Sequence, residues 1–306
     1  MSSAPRLQAR GPLVGHTRRV SCVALTADGG RLLSGSLDRS LRLWDVAGGV
    51  CGEVLAGETS DVNAVASSPD GKVAVSGSGE MTLAAGLARV WDVSAGRPLR
   101  ELAGHEGEVS AVALDAPRGR VATGGADGTV RVWELASGSC LQVLKGHDAW
   151  VRAVALTADG TRVVSGGMDG TVRVWDASGG SLLRTLGAHA DKVYAVAPSP
   201  DGRWALSGAK SHELRLWDLS SGECARVLEG HEGVVRGVAF LPDGRWALSV
   251  SEDKTVRLWE LETGRCAATE TTSGAALCLS VSADGRRIAV GTYDRKIFVW
   301  DVGRPA

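Results

Sequence analysis

Histidine, a hydroxyl residue and aspartate recur together along this chain: His16 with Ser34 and Asp38, His105 with Thr123 and Asp127, His147 with Ser165 and Asp169, and His231 with Ser249 and Asp253. An imidazole beside a hydroxyl and a carboxylate is the equipment of nucleophilic catalysis. Four copies at one period argue against that use, because a unique substrate needs one site. His212 lies outside this pattern, alone in a turn, and supports neither a metal cage nor a general base. The chain carries no Gly-x-Gly-x-x-Gly, P-loop or His-Glu-x-x-His, so no catalytic residue, metal or cofactor is expected.

The elements that must position these groups explain their period. Seven tryptophans stand before an acidic residue, at Trp44-Asp45, Trp91-Asp92, Trp133-Glu134, Trp175-Asp176, Trp217-Asp218, Trp259-Glu260 and Trp300-Asp301. Upstream of each lies an alternating run such as Thr171-Val172-Arg173-Val174-Trp175, preceded by a Ser-Gly segment and, in most units, an Asp-Gly turn. Earlier still comes a Val-x-x-Val run, entered in most units through Gly-His. Each unit therefore predicts four short strands joined by turns. A lone sheet of this size cannot bury both faces, so the units must stack.

On these coincident Gly-His, Asp-Gly and Trp-Asp units the chain resembles the WD40-repeat family over essentially its whole length. The resemblance implies an all-β, seven-bladed propeller forming one domain over 1–306. The repeats run approximately over 15–56, 57–103, 104–145, 146–187, 188–229, 230–270 and 271–306. The last repeat lacks room for its outer strand, so the segment 6–14 is expected to close the ring there, leaving only short sheet edges. The family resemblance also reassigns the recurring polar residues to buried hydrogen-bond networks. The complete sets are His16, Ser34, Asp38 and Trp44; His105, Thr123, Asp127 and Trp133; His147, Ser165, Asp169 and Trp175; and His231, Ser249, Asp253 and Trp259. Three blades depart from it. The second has Glu58 for histidine and an insertion around 79–88; the fifth has Ser211 where aspartate belongs; the last has Thr272 and Val290 for histidine and serine. These blades are expected to be looser, at about 1–3 kcal/mol for each buried partner left unpaired.

Composition agrees with such a ring. A chain of 306 residues exceeds an ordinary single core, and repetitive all-β architectures are the main exception. A net charge of −1 argues against a general polyanion binder, and arginines in Arg-Val-Trp contexts read as solvated strand faces, so no nucleic acid partner is expected. The uncharged stretch 271–283 is too short to cross a bilayer, and residues 1–12 contain no apolar run, so neither a membrane span nor a signal peptide is expected. The cysteines recur at equivalent positions of different units, which implies no disulfide, and six unpaired thiols fit a reducing, cytoplasmic compartment.

Subtracting the repeat isolates the remaining signal. Of ten tryptophans, seven mark blades and Trp204 and Trp246 share one repeated strand position, which leaves Trp150. In the family, residues flanking the first Val of the innermost strand, and the one before the turn aspartate, line the channel mouth. Carried over, the candidate binding residues are Arg19, Asp61, Asn63, Glu108, Trp150, Arg152, Met168, Lys192, Tyr194, Lys210, Arg236, Glu252 and Tyr293. Arg152, Lys192, Lys210 and Arg236 read as a basic arc beside aromatic anchors. The expected function is a non-enzymatic scaffold in signalling or complex assembly. Its partner would be a protein or peptide with an apolar anchor and acidic or phosphorylated groups. Arginine outnumbers lysine, as in GC-rich genomes, and bacterial members of the family are often attached to signalling domains. A regulatory or sensor domain of a larger protein is therefore one alternative; a propeller-type lyase or hydrolase is the other. A start methionine and a ring closing within the chain favour a self-sufficient monomer.

Overall fold

Each repeat folds into a meander of antiparallel strands, because its alternating runs are short and its turns carry the residues that tight reversals need. In the computed structural model, which describes residues 4–80 and 86–303, the first blade comprises Val20–Leu25, Arg31–Ser36, Leu41–Asp45 and Val50–Leu55, paired in that order from the channel outward. Gly160 illustrates the turns: its φ of 67° is left-handed, and Thr157 and the Thr161 N–H both bond Asp159 beside it.

Six such sheets have four strands, and the seventh gains Arg6–Ala9 and Leu13–Val14, both paired with Lys296–Gly303. The register Leu7 to Val302 and Leu13 to Ile297 closes the ring, and Arg10 adds an ion pair to Asp301 at 2.7 Å. Among the described residues no helix is long and apolar enough to cross a membrane.

The core lies in the seams between blades. Val130, Val132 and Leu144 of the third blade pack with Val151, Val163 and Trp175 of the fourth. Each fully buried indole removes about 150–250 Å² from water, worth roughly 4–6 kcal/mol at about 25 cal/mol per Å². The glycine of the Ser-Gly segment is a steric requirement of this packing. A Cβ on Gly166 would sit 2.6 Å from Val193 Cγ1 of the next blade.

The recurring polar residues form buried networks. Trp175 Nε1 donates to Ser165 Oγ at 2.8 Å; that hydroxyl faces His147 Nε2 at 2.8 Å, and His147 Nδ1 lies 2.9 Å from Asp169. The other complete sets repeat this arrangement, as in Trp44, Ser34, His16 and Asp38. Burial holds the His16, His147 and His231 imidazoles below their ordinary value despite the neighbouring aspartates. Burial alone would raise Asp38, but hydrogen bonds from Ser40, the Thr17 N–H and His16 outweigh it and hold the carboxyl at about 2.

Two of the three irregular blades restore the network by other means, which corrects the expectation of missing partners there. In the second, Ser76 donates to Glu58 at 2.5 Å and Arg89 pairs with the same carboxylate at 2.6 Å. In the fifth, Glu213 reaches His189 Nδ1 at 3.2 Å from two residues beyond Ser211. In the last blade the substitution does orphan a group: Val290 offers no hydroxyl, and among the described residues the buried Trp300 Nε1 has no partner. Phe298 stacks on that indole instead, 5.9 Å between centroids.

The strand arginines also differ from expectation. Arg131 and Arg173 are only 17% and 13% exposed, and each lies about 4 Å from the network aspartate of its own blade. Arg131 and Arg257 lie over Trp133 and Trp259. Their stems pack on apolar surface, so they are not freely solvated faces.

Candidate functional site

Every innermost strand is interrupted by a β-bulge at its second residue. The ladder skips from Val20 to Cys22, Val62 to Ala64, Val109 to Ala111, Val151 to Ala153, Val193 to Ala195, Val235 to Gly237 and Ala276 to Cys278. A bulge leaves one residue out of the ladder and re-aims its side chain. The residues so placed are Ser21, Asn63, Ser110, Arg152, Tyr194, Arg236 and Leu277, and together they ring the channel.

Six of them, all but Ser110, border a cavity of about 840 Å³ at one mouth of the ring. Trp150, Met168 and Leu37 supply apolar wall, and Tyr293, 60% exposed, stands at the rim. Below it the channel narrows to about 240 Å³. Ser110 instead turns into the seam, donating to Val151 O at 2.5 Å. Ser21 does likewise toward Val62 O, and Asn63 donates to Gly79 O at 3.1 Å. The first three blades therefore commit their bulge side chains to backbone, whereas the fourth to sixth present large ones.

Those large side chains form a stack. The Arg236 guanidinium lies 4.1 Å from the Tyr194 ring centroid and that of Arg152 lies 5.9 Å from it, both within cation–π range. Arg152 NH1 bonds Glu108 at 2.8 Å, and Arg236 bonds Glu252 through Nε at 2.8 Å and NH2 at 2.5 Å. Burial pulls Arg152 below the ordinary arginine value, against the opposing pull of Glu108. Burial likewise pushes Glu108 up, with Arg152 opposing it. The cavity is lined by four cations, Arg19, Arg152, Lys192 and Arg236, against one carboxylate, Glu252, in a chain whose net charge is −1.

Most candidate residues from the sequence line this cavity: Arg19, Asn63, Trp150, Arg152 and Met168, then Lys192, Tyr194, Arg236, Glu252 and Tyr293. Asp61 and Glu108 lie in an adjoining groove of about 360 Å³ that shares Trp150 and Arg152 with the mouth. Burial pushes the Asp61 carboxyl up, with Arg18 at 3.8 Å its closest cation. Lys210 borders neither space. The loop turns left-handed at His212, with φ of 70°, and the Lys210 amine points to Asp191 at 3.3 Å. The basic arc is thus reduced to Arg152, Lys192 and Arg236, and its two arginines are already paired. The lining also includes Ser21, Leu37, Ala275 and Leu277, at the same repeat positions as the candidates, and Ala149, which sequence reasoning missed together with both arginine pairings. Glu108 sits just before the first Val of its strand and Arg152 just after that of the next blade, a relation that aligning the repeats does contain. Of the second-blade insertion, residues 81–85 lie outside the described residues. Glu80 before them pairs with Arg39 at 3.0 Å.

The architecture is that of a seven-bladed β-propeller with a built cavity at one mouth. The chain matches the WD domain, G-beta repeat family (WD40) over 8–45, 49–92, 96–134, 138–176, 180–218, 222–260 and 264–301. The protein belongs to the WD40-repeat family, whose propellers typically serve as protein-interaction scaffolds. Each matched segment begins near the outer strand of one blade and ends on the Trp-acid pair of the next, so neighbouring blades share every repeat.

Proposed function

We propose that this propeller is a non-enzymatic scaffold that docks a protein or peptide over its channel mouth, in signalling or complex assembly. The observation that carries the reading is the cavity where the bulge residues converge, apolar on Trp150, Met168 and Tyr293 and cationic beside them. An apolar anchor of the partner packs on the first group, while acidic or phosphorylated groups meet the second. Two carboxylates near the mouth support a binding role over catalysis: Glu108 and Glu252 are each engaged by an arginine. The half-buried strand arginines support a protein partner over nucleic acid. Six free cysteines support a reducing, cytoplasmic setting.

The test is affinity capture from native extract with the wild-type chain and a Trp150→Ala/Arg152→Ala double variant. Loss of a central anchor costs about 2 kcal/mol or more, roughly 30-fold in Kd. A folded double variant that captures the same partner equally well moves the site elsewhere. A stoichiometric divalent ion at the mouth of the purified protein revives the enzymatic alternative.

A further inference from the structure

We propose that Arg152, Tyr194 and Arg236 form a receptor for one phosphate monoester group carried by the docked partner. This rests on the docking reading above and names the group that seats deepest in the mouth.

Two guanidinium groups share a single aromatic ring, at 4.1 and 5.9 Å from its centroid. Like charges so placed repel, and each is steadied by one carboxylate, Glu108 for Arg152 and Glu252 for Arg236. These bonds use NH1 of Arg152 and the Nε and NH2 of Arg236. Among the described residues, Arg152 Nε and NH2 and Arg236 NH1 have no hydrogen-bond acceptor. The Lys192 amine and the Arg19 guanidinium, on the same cavity, have no carboxylate within 4 Å among the described residues. The carboxylates therefore orient the fork-shaped donors without exhausting them, which is the preparation a multi-acceptor anion requires.

Charge distinguishes which anion. Arg19, Arg152, Lys192 and Arg236 bring four positive charges, and Glu108 and Glu252 remove two, leaving +2. Lys210 and Asp191, at 3.3 Å, form a neutral pair beside them, as do Arg18 with Asp61 and Arg39 with Glu80 across the groove. A carboxylate ligand supplies one negative charge and two oxygens. A phosphate monoester supplies about −1.5 to −2 at neutral pH with three strong acceptor oxygens, matching both the residual charge and the open donors. The cavity, at about 840 Å³, holds far more than one phosphate, and its remaining wall of Trp150 and Met168 suits the chain that carries the group.

Phenyl phosphate is the probe, with benzoate as the control that keeps the ring and exchanges the anion, both titrated calorimetrically into the full chain at low salt. Phenyl phosphate is expected to bind at least tenfold tighter than benzoate. Arg236→Gln is expected to abolish that preference, Glu252→Gln to tighten phenyl phosphate several-fold by removing the competing carboxylate, and Lys210→Ala to leave it unchanged. Arg236→Gln leaves behind only the half-exposed Glu252, so it is the variant of choice should Arg152→Gln, which strands the buried Glu108, fail to fold. Equal binding of the two probes, or an undiminished preference in folded Arg236→Gln, overturns the proposal. Capture from phosphatase-treated extract separates the two readings. Capture that needs Trp150 but survives the phosphatase overturns the partner-borne phosphate and leaves docking standing. Capture indifferent to the Trp150→Ala/Arg152→Ala variant overturns docking, whatever phenyl phosphate does.

Discussion

Two positions recur in every blade of this ring, and they have diverged in opposite ways. The hydroxyl under the blade tryptophan is serine or threonine in six blades, and where its partner histidine or aspartate is missing, another side chain restores the bond in two blades. The bulge residue at the channel is Ser, Asn, Ser, Arg, Tyr, Arg and Leu in turn. The first position is buried in a seam, where an unpaired polar group costs free energy and a misfit side chain has nowhere to go. The second lies outside the ladder, and in the fourth to seventh blades it faces the open mouth, where its identity is free to serve a ligand. Position within the repeat thus separates what the scaffold requires from what recognition selects.

The sharpest contrast is between two tryptophans on the same blade. Trp175→Ala is expected to lower stability by about 3–5 kcal/mol, as a cavity in a sealed seam does, measured by urea unfolding. Trp150→Ala at the mouth should cost under about 1 kcal/mol. Equal losses would erase the distinction between scaffold and mouth. Within the network, His147→Ala is expected to cost about 1–3 kcal/mol by stranding Asp169 and the Ser165 hydroxyl, while Arg236→Gln shifts the unfolding midpoint little.

Acid should attack the seams. His16, His147, His189 and His231 are held below 6.5 by burial, His189 down to about 4, so the unfolded chain takes up protons that the folded chain refuses. The stability they contribute is complete above pH 6.5 and is lost as pH falls toward 4. Asp38 and Asp253, both held at about 2 against an ordinary 3.8, act in the same direction lower down: their contribution is present above pH 3.8 and disappears as pH falls to 2. Urea midpoints measured across this range should fall in both intervals, with the same profile in Trp150→Ala. The smallest effect is a repair. Val290→Thr places an acceptor under Trp300 as Thr123 does under Trp133 at 2.8 Å, with an expected gain of up to about 1 kcal/mol. No gain would mean that stacking on Phe298 already compensates.

The ring and its closure are legible from the Trp-acid pairs and the leftover segment before the first Gly-His, because blade geometry follows from strand count and period. The depth of each mouth residue is legible too, since it follows the first Val of its strand. What the repeat does not encode is which side chain steps in where a network residue is missing. Glu213 repairs the fifth blade from a position where Ser40, Thr129, Thr171 and Thr255 place only a hydroxyl beside the histidine of their own blades, and Glu58 does so through Arg89, whose equivalents at Arg131, Arg215 and Arg257 pack over indoles. Reading Lys210 with the basic arc failed for the same kind of reason: the missing aspartate at 211 removes the group that fixes this turn, and the amine follows Asp191 instead.

The seven bulges make the mouth a row of interchangeable letters. Each sits outside the strand ladder, so rewriting a slot that opens on the mouth leaves the frame intact, whereas Ser21 and Ser110 also tie their blade to the next. A new recognition surface is therefore reached by substitutions that leave the ladders alone, and the present one, with its two arginines and one tyrosine in adjacent slots, is a single word from that alphabet.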